Sequence, residues 1–200
     1  MYERKVFDRF FTEREEKALL KAARRVDCPL ARRDAGWMLL ARQTGLRVGA
    51  LVGLTVGDAR DGVRTGRLLL RAEIQKGSRA HQVFLTKAAK AALGRLLKVR
   101  RELRASDDLD AALLVNRYGR GMSARAVELR QKHWCAVAGT RPGSPHWWRH
   151  TCARRLMERS EAQDPRGIVQ RVLGHVSLTT TEVYTWPTHE QVEAAMELAA

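Results

Sequence analysis

Residues 144–186 read SPHWWRHTCARRLMERSEAQDPRGIVQRVLGHVSLTTTEVYTW. Pro145 opens a helix in which His146 and Arg149, three apart, share a face that His150 continues. Trp148, Cys152 and Leu156, spaced by four, make an apolar stripe on the opposite side. The polar face is therefore expected to look outward from a packed helix. It offers an Arg fork suited to two oxygens of a phosphate and a His that can donate to a third. Asp164 and Pro165 read as the N-cap and first-turn proline of a second helix, which runs to about Leu173 and stops at Gly174. His175 falls just past that stop, and Tyr184 follows on a short helical turn. Singly, a His after a helix-ending Gly reads as a structural His, and an exposed Tyr as a surface residue. Together they gather groups suited to phosphate chemistry into one stretch.

Upstream, capped helices alternate with glycine stops. Thr12-Glu13-Arg14-Glu15 is a capping box for a helix with Leu19, Leu20, Ala23 and Val26 on its apolar face, ending before Pro29. A second helix is expected over about 33–44, with Trp37, Leu40 and Ala41 inward and Gly45 as its stop. The run TGLRVGALVGL at 44–54 then sets Arg47 at the mouth of a short helix among apolar residues, where a bare guanidinium finds little water. It should meet an anion; an internal salt bridge to Asp58 or Asp61 is the alternative. From 63 to 85 the pattern turns to strands: 68–74, a turn at 75–78 and 80–85 read as a hairpin of a small, three-stranded antiparallel sheet. Lys76 lies at its tip. Arg keeps its proton near neutral pH, whereas Lys can release one when its surroundings lower its pKa, so Lys76 is a candidate general acid, with a plain solvated turn lysine as the alternative.

Thr86 caps a long helix to about residue 104, with Leu93, Leu96 and Leu97 inward and Lys87, Lys90, Arg95, Lys98, Arg100 and Arg101 coating the rest. An acidic loop at 107–110, a short unassigned apolar run at 113–115 and a basic turn at 116–121 lead to a helix capped by Ser123 and ending near 137. Past Trp186-Pro187, Thr188 caps a short terminal helix. It should be ordered only when its stripe of Val192, Ala195, Met196 and Ala199 is buried.

With 44% apolar residues in 200, the chain can build a full core as one domain, which excludes a disordered protein. Its formal net charge of +15 and pI near 10.8, with 29 Arg against 8 Lys, point to a polyanionic partner, nucleic acid first. An RNA-binding module is disfavoured, because no aromatic stacking platform is apparent. No run of eighteen apolar residues occurs, and the first residues, MYERKVFDRFF, lack a signal-peptide core, so a cytoplasmic location without membrane contact is expected. Cys28, Cys135 and Cys152 are far apart in apolar contexts and read as reduced and structural. His146 and His150 have no Glu between them, His133-x-Cys135 has no partner pair, and the acidic loop is a poor cradle, so no metal site is expected.

The order HWWRHT at 146–151, LGH at 173–175 and TEVYT at 181–185, preceded by TGLR at 44–47 and QKGSR at 75–79, resembles the tyrosine recombinase (phage integrase) family. The resemblance spans residues 12–200 and implies that family's catalytic-domain fold, predominantly α-helical with a small antiparallel β-sheet. It further implies a single catalytic domain over 1–200, with a core at 12–186 and a terminal helix at 187–200 that docks in cis or trans. On that resemblance Arg47 and Arg149 bind the scissile phosphate, with His146 and His175 adding hydrogen bonds. Tyr184 is the nucleophile and Lys76 the acid for the leaving 5′-hydroxyl. The implied activity is site-specific cleavage and rejoining of double-stranded DNA through a 3′-phosphotyrosine, with self-assembly on DNA, no cofactor and no small-molecule substrate. Type IB topoisomerase-like relaxation and a non-catalytic DNA-binding relative are the alternatives. Two departures stand out. Ala50 occupies a position that is commonly acidic in the family, and only about a dozen residues precede the first helix, so the family's separate N-terminal core-binding domain is not expected here.

Overall fold

The computed structural model describes residues 9–75, 79–162, 164–174 and Met196. Eight α-helices and one two-stranded sheet occur among them: α1 (Glu13–Arg25), α2 (Pro29–Thr44), α3 (Val48–Gly53), α4 (Val56–Thr65), β1 (Arg67–Leu70), β2 (His81–Phe84), α5 (Lys87–Glu102), α6 (Ala124–Ala138), α7 (His146–Arg159) and α8 (Pro165–Leu173). None of the described helices is long and apolar enough to cross a membrane. The chain therefore has the expected class, mainly helical with a small antiparallel sheet.

The core is built around α2, where Trp37, Met38 and Leu40 are fully buried and α1, α5 and α7 pack on three sides. This helix begins four residues earlier than its apolar pattern indicates. The Cys28 Sγ accepts from the Ala31 N–H at 3.4 Å and Pro29 fills the first turn, so a cysteine does what Ser or Asp usually does. Two carboxylates are buried with it. Asp34 accepts from Arg33 and Arg130 and from the indole N–H groups of Trp37 and Trp134, at 2.6 to 3.2 Å, and so ties α2 to α6. Glu16 of α1 pairs with Arg42 of α2 and with Arg155 of α7 at 3.6 Å. Each buried charge is matched on several sides, as desolvation demands.

Several expectations need correction. Val26 is the exposed C-cap of α1 rather than part of its apolar face. Residues 56–65 form α4, started by a Thr55/Asp58 capping box and stopped by left-handed Gly66. The sheet has two strands among the described residues, paired from Arg67↔Phe84 to Leu70↔His81. The first strand ends early because Arg71 turns away to donate to the Gly53 carbonyl and Asp58, and a 3-10 turn at Ala72–Ile74 follows. Arg100 belongs to the interior of α5, not to its coat: it donates to the carbonyls of Ala112 and Ser106 and holds the loop beneath it. The apolar run 113–115 is buried without forming a strand, joined to its surroundings by isolated bridges at Ala112 and Val115. Of the terminal helix only Met196 is described; it is helical and 69% exposed.

The chain entering the domain is fastened by Arg141, which donates to both carboxylate oxygens of Glu15 at 2.7 and 2.8 Å and to the Phe10 carbonyl at 2.8 Å. These bonds hold Glu15 down at about 2 against an ordinary value of 4.5, outweighing the opposing effect of its burial. A carboxyl depressed in the folded state contributes stability that is complete above 4.5 and is lost as pH falls toward 2. Thermal melts of Glu15→Gln should therefore lie below wild type at neutral pH and converge with it across that acid window. Parallel curves would contradict the pairing.

Candidate active site

Arg149 sits in the first turns of α7 and is only 3% exposed. Its Nη1 donates to the Gly45 carbonyl and its Nη2 to the Leu173 carbonyl, both at 2.8 Å. Gly45 is the left-handed cap of α2 and Leu173 the last residue of α8, which is capped by left-handed Gly174. The guanidinium thus lies between the C-terminal ends of two helices, where orphan carbonyls and both helix dipoles favour a cation. This corrects the outward-looking fork read from the helical face. Arg149 is an inward clamp that commits part of its five-donor set to the backbone. Position 45 must be glycine for two reasons. Its φ is +64°, and a Cβ there would stand 2.4 Å from Leu173 Cδ2.

Two residues past that glycine, Arg47 is the N-cap residue of α3, half-buried and with no side-chain capping bond. The internal salt bridge weighed for it is not made. Asp58 serves Thr55 and Arg71, Asp61 serves Arg64, and Arg47 has no hydrogen bond or ion pair among the described residues. Ala50 is buried in α3. An acidic side chain there is replaced by core packing.

His146 is the first residue of α7 and lies at the surface, its ring edge-on to His150 with centroids 4.6 Å apart. Partial desolvation, followed by the charges of Arg149, Arg47 and Arg9, holds its pKa below the ordinary 6.5. The imidazole is therefore neutral at pH 7, with one N–H to donate. A bound anion would offset the three cations and raise that pKa, so anion binding at this site should take up a proton and tighten as pH falls. Binding calorimetry in two buffers of different ionisation enthalpy measures the uptake, which His146→Gln should remove. Equal uptake in the variant would assign the proton elsewhere.

The structure thus joins three of the expected residues: Arg149 grips the loop that leads to Arg47, and the charge of both is felt at His146. Lys76, His175 and Tyr184 lie outside the described residues. One neighbour carried no signal in the sequence. His81 of β2 donates from Nε2 to the Val172 carbonyl at 3.0 Å, and its ring covers Gly174, where a Cβ would approach within 3.1 Å. It links the hairpin to the end of α8. Cys152 lies behind the site, with its thiol pushed up to about 11 by burial, and is inert packing.

The sequence profile described as the phage integrase family matches residues 9–191. Among curated proteins, the tyrosine recombinase XerC of Shewanella amazonensis (strain ATCC BAA-1098 / SB2B) is 37% identical over 157 residues, covering 78% of this chain and 49% of the relative. XerC of Azotobacter vinelandii (strain DJ / ATCC BAA-1303) is 35% identical over 174 residues, 85% of this chain and 53% of the relative. The chain therefore spans about half the length of these relatives. Among solved structures, XerA recombinase superposes with a TM-score of 0.74 at 23% identity, over 95% of this chain and 65% of its own, which marks a shared fold. With a profile that covers nearly the whole chain and a helical frame that brings Arg47, His146 and Arg149 together, the protein belongs to the phage integrase family.

Proposed function

We propose that this chain supplies the strand-cleaving and rejoining centre of a site-specific DNA recombinase or integrase, an enzyme working through a 3′-phosphotyrosine. The observation that carries this reading is Arg47, half-buried and without a partner among the described residues, beside an Arg149 fixed by two helix ends and a neutral His146. A phosphodiester resists attack because its charge repels nucleophiles and grows in the transition state, so cationic and N–H donors fixed in advance are the groups that lower the barrier. In this reading Arg47, Arg149, His146 and His175 hold the non-bridging oxygens. The Tyr184 hydroxyl gives up its proton to solvent as its oxygen bonds to phosphorus, the bond to the 5′-oxygen breaks, and Lys76 gives that leaving oxygen a proton. The ester conserves the bond energy, and a 5′-hydroxyl from another strand reverses the step.

Double-stranded DNA is the proposed substrate, with assembly of several copies on it and association with the nucleoid. The net charge of +15 supports a DNA partner, as do relatives that are recombinases. The test is a nicked suicide duplex carrying repeats from the gene's own neighbourhood. A covalent protein–DNA adduct at the 3′-phosphate is expected, followed by exchange between two sites. No adduct on any such duplex would refute the catalytic reading, and plasmid relaxation without exchange would favour a topoisomerase-like activity.

A further inference from the structure

Phe11, 1% exposed, fills the crevice at the start of α7. Its ring lies 5.3 Å from that of Trp147 and 4.7 Å from that of Trp148, and its backbone N–H donates to Thr151 Oγ1 at 2.9 Å. The loop ahead of α7 closes over it: a Cβ at Gly143 would lie 2.5 Å from the Phe11 ring. Phe10 continues the fastening, with its ring under the guanidinium of Arg154 at 4.2 Å and its carbonyl on Arg141. At about 100° per residue, positions 147, 148 and 151 centre on the side of α7 opposite to 146, 149 and 150. The segment therefore grips the back of the helix whose front holds the phosphate-handling groups.

We propose that Phe11 is a positioning residue: by wedging between Trp147 and Trp148 and bonding to Thr151, it sets the rotation and depth of α7, and so where His146 and Arg149 meet a phosphodiester. The proposal rests on the reading of those two side chains as phosphate ligands. A helix gripped on one side is defined about its own axis by that grip, and a small rotation moves side chains on the far side by the ångström that decides hydrogen bonding. Arg9, two residues before Phe11, is near enough for its charge to reach His146, so the strap extends from the back of the helix toward the site.

Phe11→Ala empties a core crevice and can unfold the chain, so the sharper variant is Thr151→Val, which keeps shape and removes the acceptor. Thr151→Ser restores it. Single-turnover cleavage of the suicide duplex by Thr151→Val should fall by about 10–10²-fold, the scale of a misplacement near 1 Å, while half-site Kd stays within about twofold. Thr151→Ser should cleave within about twofold of wild type, the hydroxyl being the only group at issue. Amide exchange should quicken at 146–150 in Thr151→Val and stay unchanged in the middle of α5. Wild-type adduct with undiminished cleavage by Thr151→Val overturns this proposal alone. Exchange that quickens uniformly across the chain also overturns it, since that marks mere destabilisation. Absence of adduct from the wild-type chain overturns the phosphate reading, and this proposal with it.

Discussion

Arg149→Ala should slow strand cleavage by roughly 10²–10³-fold or more and lower the melting temperature, whereas Arg47→Ala should do only the first. The two side chains are expected to lose similar charge stabilisation at the phosphate, but they stand in different structural positions. Arg149 satisfies the buried ends of α2 and α8, and its removal strands the carbonyls of Gly45 and Leu173 at about 1–3 kcal/mol each. For a chain of this size that corresponds to a fall of about 4 °C or more. Arg47 makes no such bonds among the described residues, so its loss leaves the fold intact. Melting curves beside single-turnover rates check both halves. Equal melting temperatures for wild type and Arg149→Ala would show that the clamp contributes nothing to the fold. The double variant should also be less than additive in rate if, as proposed, the two guanidiniums serve one phosphate.

Tyr184→Phe should abolish the covalent adduct outright while leaving half-site affinity within about twofold, since it removes only the oxygen proposed as the nucleophile and little binding surface. Denaturing gels of the suicide reaction and a mobility-shift titration measure the two quantities. An adduct that persists in the variant would move the nucleophile to another residue. A large loss of affinity would mean that the hydroxyl binds DNA rather than attacks it.

The helices were legible because their ends are chemically marked. Thr12, Thr86, Ser123 and Asp164 start helices in the positions expected, and Gly45 and Gly174 stop them. α4 carried the same kind of mark in Thr55, Asp58 and Gly66, but it was obscured by the apolar residues nearby. The start of α2 was hidden because a thiol caps it. Charged interior residues were the least legible. Asp34, Glu16 and Arg100 look like surface letters, and their burial depends on partners 96, 26 and 12 residues away, which no local period encodes. In the site, the sequence motifs identify residue types, and the internal salt bridge to Asp58 or Asp61 that was the alternative for Arg47 is not made among the described residues. The inward turn of Arg149 could not be read from its helical face, because it is set by the meeting of two helix ends far apart in the chain.

That meeting also governs where the chain tolerates a change in length. Arg47 follows the Gly45 stop by two residues, and His175 follows Gly174 directly. One inserted residue adds up to about 3.5 Å of chain, more than a hydrogen bond spans, so either connection should reject even a single insertion. Asp107 and Asp108 are exposed, tied at this point by a surface ion pair of Asp107 with Arg60 and a local bond from the Ser106 hydroxyl to Asp108, while Arg100 at Ser106 and the Gly57 N–H at Leu109 anchor the loop on either side. Doubling that loop costs only about 0.6 kcal/mol of closure entropy. A peptide tag or a fused reporter therefore belongs in the acidic loop, and length variation among functional insertional variants should collect there and be absent at the two glycine stops.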